Sequence, residues 1–185
     1  MRSLVAGDRV EIEIGPGRGW FLIERAAAEA RAGLVGLEIR RKWASIVDAR
    51  LAGRGLAPRC RVFAEDARHA LGRLRPDGSV RRVFVSFPDP WWKKRHHKRM
   101  VIGDLLVEEV VRLLEPGGEL FVQTDVEERA RAYEERIQRD PRLVEAGDAA
   151  GSARLRDHPY TARSPRERRA IADGLPVHRL RWRRR

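Results

Sequence analysis

The chain has 185 residues, with 39 Lys and Arg against 27 Asp and Glu and a formal net charge of +12. That length suits a single domain, 1–185, with a core of its own, and 42% hydrophobic content in periodic blocks excludes a disordered chain. A single cysteine, Cys60, excludes a disulfide scaffold or cysteine-built zinc site, and without a membrane-length apolar run or signal-peptide pattern a cytoplasmic protein is expected.

The first strand is predicted over 9–14, where apolar and polar residues alternate up to a glycine cluster. An Ala-, Leu- and Glu-rich helix follows over 20–30, then a second strand over 34–39. Trp43, Ile46, Val47 and Leu51 have helical spacing, so 41–54 is a helix, stopped by Gly53 and Gly55. A third strand is expected over 61–64. A short helix over 67–74 ends at Pro76-Asp-Gly78, a strong turn signal. The fourth strand, 80–87, carries the apolar run Val83-Phe-Val85, which suggests burial on both faces.

A basic loop bounded by proline occupies 88–99, followed by a helix over 103–114 that Pro116-Gly-Gly118 ends. The fifth strand is 119–124 and the next helix 126–139. Residues 147–163 read as an irregular loop, 164–172 as a last helix and 177–182 as a closing strand. Strands alternating with helices imply a doubly wound α/β fold with a mainly parallel sheet. In such sheets ligands bind beyond the carboxyl ends of the strands, so the segment after each strand is the place to look.

After the first strand comes Glu13-Ile-Gly15-Pro-Gly17-Arg-Gly19. Glycines between strand and helix let a ligand approach the backbone near the positive helix end. Their spacing departs from the dinucleotide fingerprint, because Trp20 stands where its last glycine belongs. Glu38 ends the second strand, where an acid can accept hydrogen bonds from both ribose hydroxyls. Asp66 follows the third strand; it suits an adenine amine and equally an N-cap. Three such features on successive strands describe an adenosine site. No lysine-bearing phosphate cradle accompanies them, so a sulfonium cofactor, S-adenosylmethionine, fits better than a nucleotide, with Glu13 near its ammonium.

The fourth strand runs into Phe87-Pro-Asp89-Pro-Trp-Trp-Lys93-Lys-Arg95-His96-His97-Lys98-Arg99. Two prolines flank Asp89 and fix the backbone around its carboxylate. Only four of the 39 cations are lysines, and three of those are here. Cations beside aromatic rings suit nucleic acid, since rings stack on bases while cations meet phosphates. His96-His97 has no further clustered ligands, so no metal is expected. After the fifth strand, Asp125 is placed to hold a substrate base or to cap the next helix.

In this order, EIGPGRG, GLEIR, AEDA, FPDPWWKKRHHKRM and QTD resemble the bacterial tRNA (guanine-N7-)-methyltransferases, from about Val10 to the end of the chain. The resemblance implies a seven-stranded, Rossmann-like, S-adenosylmethionine-dependent methyltransferase that modifies a guanine in the tRNA variable loop. It implies cofactor contacts at Glu13, Glu38, Asp66 and Asp89, beside the glycine loop of Gly15 and Gly17, and substrate contacts at Lys93 and Asp125. From the chemistry, Asp89 is expected to be the catalytic group, fixing the guanine with Asp125 and stabilising its developing charge, while Lys93, Arg95, Lys98 and Arg99 are expected to hold phosphates. The family's Thr-x-x-Glu motif is matched by Ser164-Pro-Arg-Glu167, with Ser in place of Thr and Arg166 in place of an aromatic residue. A basic extension common before the first strand is not matched by the few residues here, so any tRNA contact it makes is not expected from them.

Guanine N7 carries no proton, so the expected chemistry is orientation of reactants without a strong base. Three other readings share parts of this pattern. A small-molecule methyltransferase leaves the basic loop unexplained. An oxidoreductase conflicts with the glycine spacing. A non-catalytic RNA-binding protein leaves the strand-end carboxylates without a role. No membrane partner is expected, and monomer and homodimer are both compatible with the sequence. Five arginines between Arg179 and Arg185 suit either a tRNA contact or a charged edge strand.

Overall fold

The computed structural model describes residues 4–88 and 101–185. Its elements run β1 (Arg9–Ile14), α1 (Trp20–Ala28), β2 (Ala32–Leu37), α2 (Arg41–Ala52), β3 (Cys60–Phe63) and α3 (Ala67–Ala70), the last extended by a 3-10 turn, then β4 (Val80–Ser86). The second half runs α4 (Asp104–Leu113), β5 (Leu114–Thr124), α5 (Glu127–Ile137), β6 (Leu143–Glu145), β7 (Arg154–Leu155), α6 (Pro165–Ala172) and β8 (His178–Arg184). The sheet order is β3-β2-β1-β4-β5-β8-β6, with the two-residue β7 also pairing with β8. The first five strands are parallel, and β8 enters antiparallel to β5.

Alternation along each strand sorts the core into two layers. Val10, Ile12 and Ile14 of β1, Val83 and Val85 of β4, and Leu120 and Val122 of β5 face α3, α4 and α5. The α4 helix meets them with Leu106, Val107, Val110 and Val111, an i, i+1, i+4, i+5 stripe. On the other face, Leu22 and Ala26 of α1 and Ala44, Val47 and Leu51 of α2 cover Leu34, Cys60 and Val62. A third cluster joins Phe21, Phe84 and Phe121 to Leu155 and Ala162 of the segment before α6.

The fold agrees with the doubly wound α/β expectation, with three local differences. Pro116-Gly-Gly118 does not separate helix from strand. β5 begins at Leu114, directly after α4, and takes the turn in as an irregularity, the register with β4 jumping from Val80↔Leu114 to Arg82↔Glu119. β6 and β7 lie in stretches too short to show alternation. β8 is no edge strand: β5 flanks it on one side and β6 and β7 on the other, so its arginines lie between paired strands.

Candidate active site

The order in which strands are added to the sheet reverses between β1 and β4, because β1 leads outward to β2 and β3 while β4 leads the opposite way to β5. The loops after β1 and β4 therefore diverge and leave a crevice. A cleft of about 870 Å³ opens there, within the range of small-molecule sites. Its walls come from the ends of all five parallel strands or the segments after them: Glu13 to Arg18, Glu38 to Arg40, Glu65 to Arg68, Val85 to Pro88, and Thr124 to Val126.

The glycine loop needs its composition for two reasons. Gly15 and Gly17 have φ of 72° and 54°, and a methyl group on Gly15 would project into open space in the cleft. Gly19 serves packing instead. Its φ is 75°, and a β-carbon there would lie 2.2 Å from Cγ1 of Val47, so only glycine lets α1 and α2 meet. Across the cleft, Phe87 has a φ of 50°, a strained conformation for a bulky residue preceding proline, at the point where β4 gives way to Pro88.

Glu38 is buried, and its carboxylate ties three parts of the site together. It accepts hydrogen bonds from the Gly17 amide at 3.0 Å, the Arg40 amide at 3.0 Å and Arg40 Nε at 2.9 Å. Asp66 repeats the pattern one strand further on. It accepts from the Arg68 amide, which makes it the N-cap of α3, and from the Arg68 guanidinium. That guanidinium lowers the Asp66 pKa below the ordinary carboxylate value, outweighing the effect of burial. Both acids thus hold an arginine two residues ahead, on the cleft wall. The E-x-R and D-x-R spacing is the sequence signal for these two arginines, which strand-end position alone does not reveal.

Glu13 differs. Only 3% of its surface is exposed, and its Oε2 has no hydrogen-bond partner among the described residues. Burial, helped by the negative charge of Glu38, pushes its pKa up to about 8. A buried, unpaired acid on a ligand cleft has the desolvation that a bound cation would repay.

On the opposite wall, Asp125 and Arg166 both line the cleft and form an ion pair with each other. Ser164 also lines it, while its hydroxyl accepts the Glu167 amide at 3.1 Å and caps α6. Glu167 is fully buried and turned away from the cleft, its Oε1 taking Arg179 Nη2 at 2.9 Å. The structure therefore brings Glu13, Gly15, Gly17, Glu38, Asp66, Asp125 and Ser164 together and sets Glu167 behind them. Asp89, Lys93, Arg95, Lys98 and Arg99 lie outside the described residues.

Behind this wall is a charged lattice that alternation alone reads as solvent-facing. Glu11, Arg82, Glu119 and Arg183 are register neighbours across β1, β4, β5 and β8, with alternating sign. Arg82 bridges Glu11 at 2.7 Å and Glu119 at 3.1 Å, and Arg183 reaches Glu119 at 3.0 Å. From α1, Arg25 grips Glu11 at 2.7 Å and lies over the Phe84 and Tyr160 rings. Tyr160 donates its hydroxyl to Glu119 at 2.7 Å. His158, beside it, is held neutral: burial, aided by nearby arginines, pushes its pKa down to about 3. Glu24 of α1 accepts the Arg163 amide and the Arg168 guanidinium. These contacts lock the segment before α6 onto the sheet and so place Ser164 and Arg166. Among the described residues no cluster of His, Cys, Asp or Glu is built to hold a metal ion, and no helix is long and apolar enough to cross a membrane.

Comparison with known proteins agrees with this geometry. Residues 8–180 match a family described as "Putative methyltransferase". A tRNA (guanine-N(7)-)-methyltransferase of Anaeromyxobacter dehalogenans is 43% identical over 95% of this chain and 86% of its own. The enzyme of that name from Myxococcus xanthus is 34% identical over 93% of this chain and 82% of its own. Among solved structures, an rRNA methylase from Streptococcus thermophilus superposes with a TM-score of 0.61 at 12% identity, over 98% of this chain and 90% of that one. TrmN from Thermus thermophilus gives 0.66 at 15% identity, over 97% of this chain and 45% of that one. At such identity the structural likeness speaks for the fold alone, while the sequence matches span nearly all of the chain. With its glycine loop and strand-end acids gathered on one cleft, the chain belongs to the tRNA (guanine-N7-)-methyltransferase family.

Proposed function

We propose that this protein methylates N7 of a guanine in the variable loop of tRNA, with S-adenosylmethionine as donor. The observation that carries the reading is Glu13: a buried acid whose Oε2 has no partner among the described residues, on the same cleft as a glycine loop and two further strand-end carboxylates. The residues fit the cofactor. Glu13 would meet its ammonium, Gly15 and Gly17 leave room against the backbone, Glu38 would take the ribose hydroxyls and Asp66 the adenine amine. When bound, S-adenosylmethionine supplies an electrophilic methyl group.

The remaining work falls to side chains of the chain itself. Guanine N7 is an in-plane lone pair, so no residue need remove a proton; the site has to hold the base in line and exclude other geometries. Asp125 presents a carboxylate toward the cleft, and a carboxylate matches the N1–H and N2 amine edge of guanine. The Arg166 guanidinium that pairs with it carries the same kind of donor edge and is half-exposed, so the base can take its place. Asp89 would add negative charge beside a purine that becomes cationic. Lys93, Arg95, Lys98 and Arg99 would meet phosphates.

The test is incubation with labelled S-adenosylmethionine and unmodified tRNA, followed by mapping of the modified base. Label at a variable-loop guanine, lost in Asp89→Ala with the fold intact, is the expected result. Label elsewhere in the tRNA, or near-normal turnover of Asp89→Ala, would overturn the corresponding assignment.

A further inference from the structure

Most arginines of this chain end on a carboxylate, yet the seam between α1 and α2 breaks that habit. Arg18, Arg50 and Arg54 have no acidic partner among the described residues, and neither do Arg41 and Lys42 at the start of α2, away from the seam. The acids that could have neutralised them are committed elsewhere: Glu24 to Arg168, Glu29 to Arg25, and Asp48 to Arg61. Three of these cations stack on indoles instead. Arg18 lies 5.3 Å from the Trp43 ring, and Arg50 and Arg54 lie 5.3 and 5.7 Å from the Trp20 ring. Arg50 also donates to the Arg18 carbonyl at 2.6 Å, which ties the seam together.

Trp43, Val47 and Arg50 follow helical spacing, so this row runs along the α2 flank that packs against the start of α1, and Arg54 extends it from the turn just past the helix end. Its upper end is the cleft itself, because Arg18 and Trp20 line it. Trp20 is 39% exposed and Ile46 beside the row 37%. A guanidinium held over a ring has already given up part of its freedom before it binds, and its N–H groups suit a phosphate in bidentate fashion. Unneutralised, ordered cations leading away from a cleft, with a half-exposed indole among them, match the charge and the stacking chemistry of a nucleic-acid strand.

We infer that the α1–α2 seam is a second RNA-binding surface, seating sugar–phosphate backbone of the same tRNA whose guanine enters the cleft. The inference rests on the tRNA reading above. The test compares the parent protein with Arg54→Gln and with the double variant Arg50→Gln/Arg54→Gln, which keep the side-chain stems at the surface. Three quantities are measured: tRNA affinity over a range of salt, S-adenosylmethionine affinity, and single-turnover methylation at saturating tRNA. Expected is tRNA binding weakened roughly fivefold or more, with the slope of log affinity against log salt reduced by ~0.7–0.9 for each phosphate that the variant no longer neutralises. In Arg54→Gln, which makes no contact with the glycine loop, cofactor affinity and saturated turnover stay at parental values.

An unchanged affinity and salt slope in both variants would overturn the inference. So would an unchanged tRNA slope accompanied by lost binding of a polyglutamate probe, which would make the seam a surface for acidic protein. A parent protein that binds tRNA but leaves it unmethylated would refute the proposed function, while the salt slopes of the variants would still decide the seam.

Discussion

Glu13 is the residue on which the electrostatics of the cleft turn. Its folded-state pKa of about 8 lies far above the ordinary 4.5, because of burial and then the nearby Glu38. Between those values the folded chain holds a proton that the unfolded chain has released. The stability this contributes is complete below about pH 4.5 and lost as pH rises through 8. Binding a cationic ammonium requires the ionised carboxylate, so cofactor affinity should strengthen with pH, by up to about tenfold per unit below pH 8. Titration calorimetry in buffers of different ionisation enthalpy should register release of about one proton at pH 7. Glu13→Gln should bind more weakly and with a flat pH profile; a profile as steep as the parent's would remove Glu13 from the ammonium site.

At the level of elements, two junctions determine the shape of the cleft. At the first, α1 and α2 meet through Gly19. Gly19→Ala combines a positive φ with a β-carbon 2.2 Å from Val47, and the two costs together should destabilise by about 2–5 kcal/mol. Urea unfolding checks this, and trimming Val47 to alanine in the same chain should recover only the steric share. The second junction is the charged ladder across β1, β4, β5 and β8. Arg82→Met leaves Glu11 and Glu119 buried without the cation they share, although Arg25 and Arg183 remain. A loss of about 3–5 kcal/mol in urea unfolding is expected. A variant as stable as the parent would mean that the ladder contributes nothing net beyond its apolar surroundings.

Across the whole molecule, the arginine excess works mostly inward or in surface pairs. Arg168 on Glu24, Arg68 on Asp66 and Arg142 on Asp140 each lower the carboxylate pKa through their hydrogen bonds, against the effect of burial. For a depressed carboxylate the stabilisation is present above the unfolded value, near 4 here, and is lost as pH falls through the folded one. Thermal unfolding should therefore drop steeply below about pH 4 and less so in high salt, which screens the exposed pairs. An unfolding temperature level from pH 5 to 2.5 would contradict that account.

The strand–helix alternation, the glycine loop and the acids in the last residues of β1 and after β2, β3 and β5 were legible in the sequence, because periodicity and strand-end position are local properties. Helix bounds matched to within a few residues for the same reason. The lattice of Glu11, Arg82, Glu119 and Arg183 was not legible. Alternation assigns such positions to solvent, and only the cover of α1 and the Tyr160 segment turns the face of Glu11, Arg82 and Glu119 into an interior, while Arg183 stays half-exposed at its rim. β6 and β7 escaped because two or three residues carry no period. The charged-edge reading of the β8 arginines fails, because long-range pairing places β6 and β7 beyond them.

Glu167 shows the same division at the site. Its motif was readable, but its burial behind Ser164, on Arg179, follows from packing between α6 and β8. The net charge of +12 belongs to the sequence alone. Which of those charges are neutralised, and which stand ordered and unpaired along the α1–α2 seam, only the tertiary structure decided. Pairing depends on distances between elements far apart in the chain, and no local pattern encodes them.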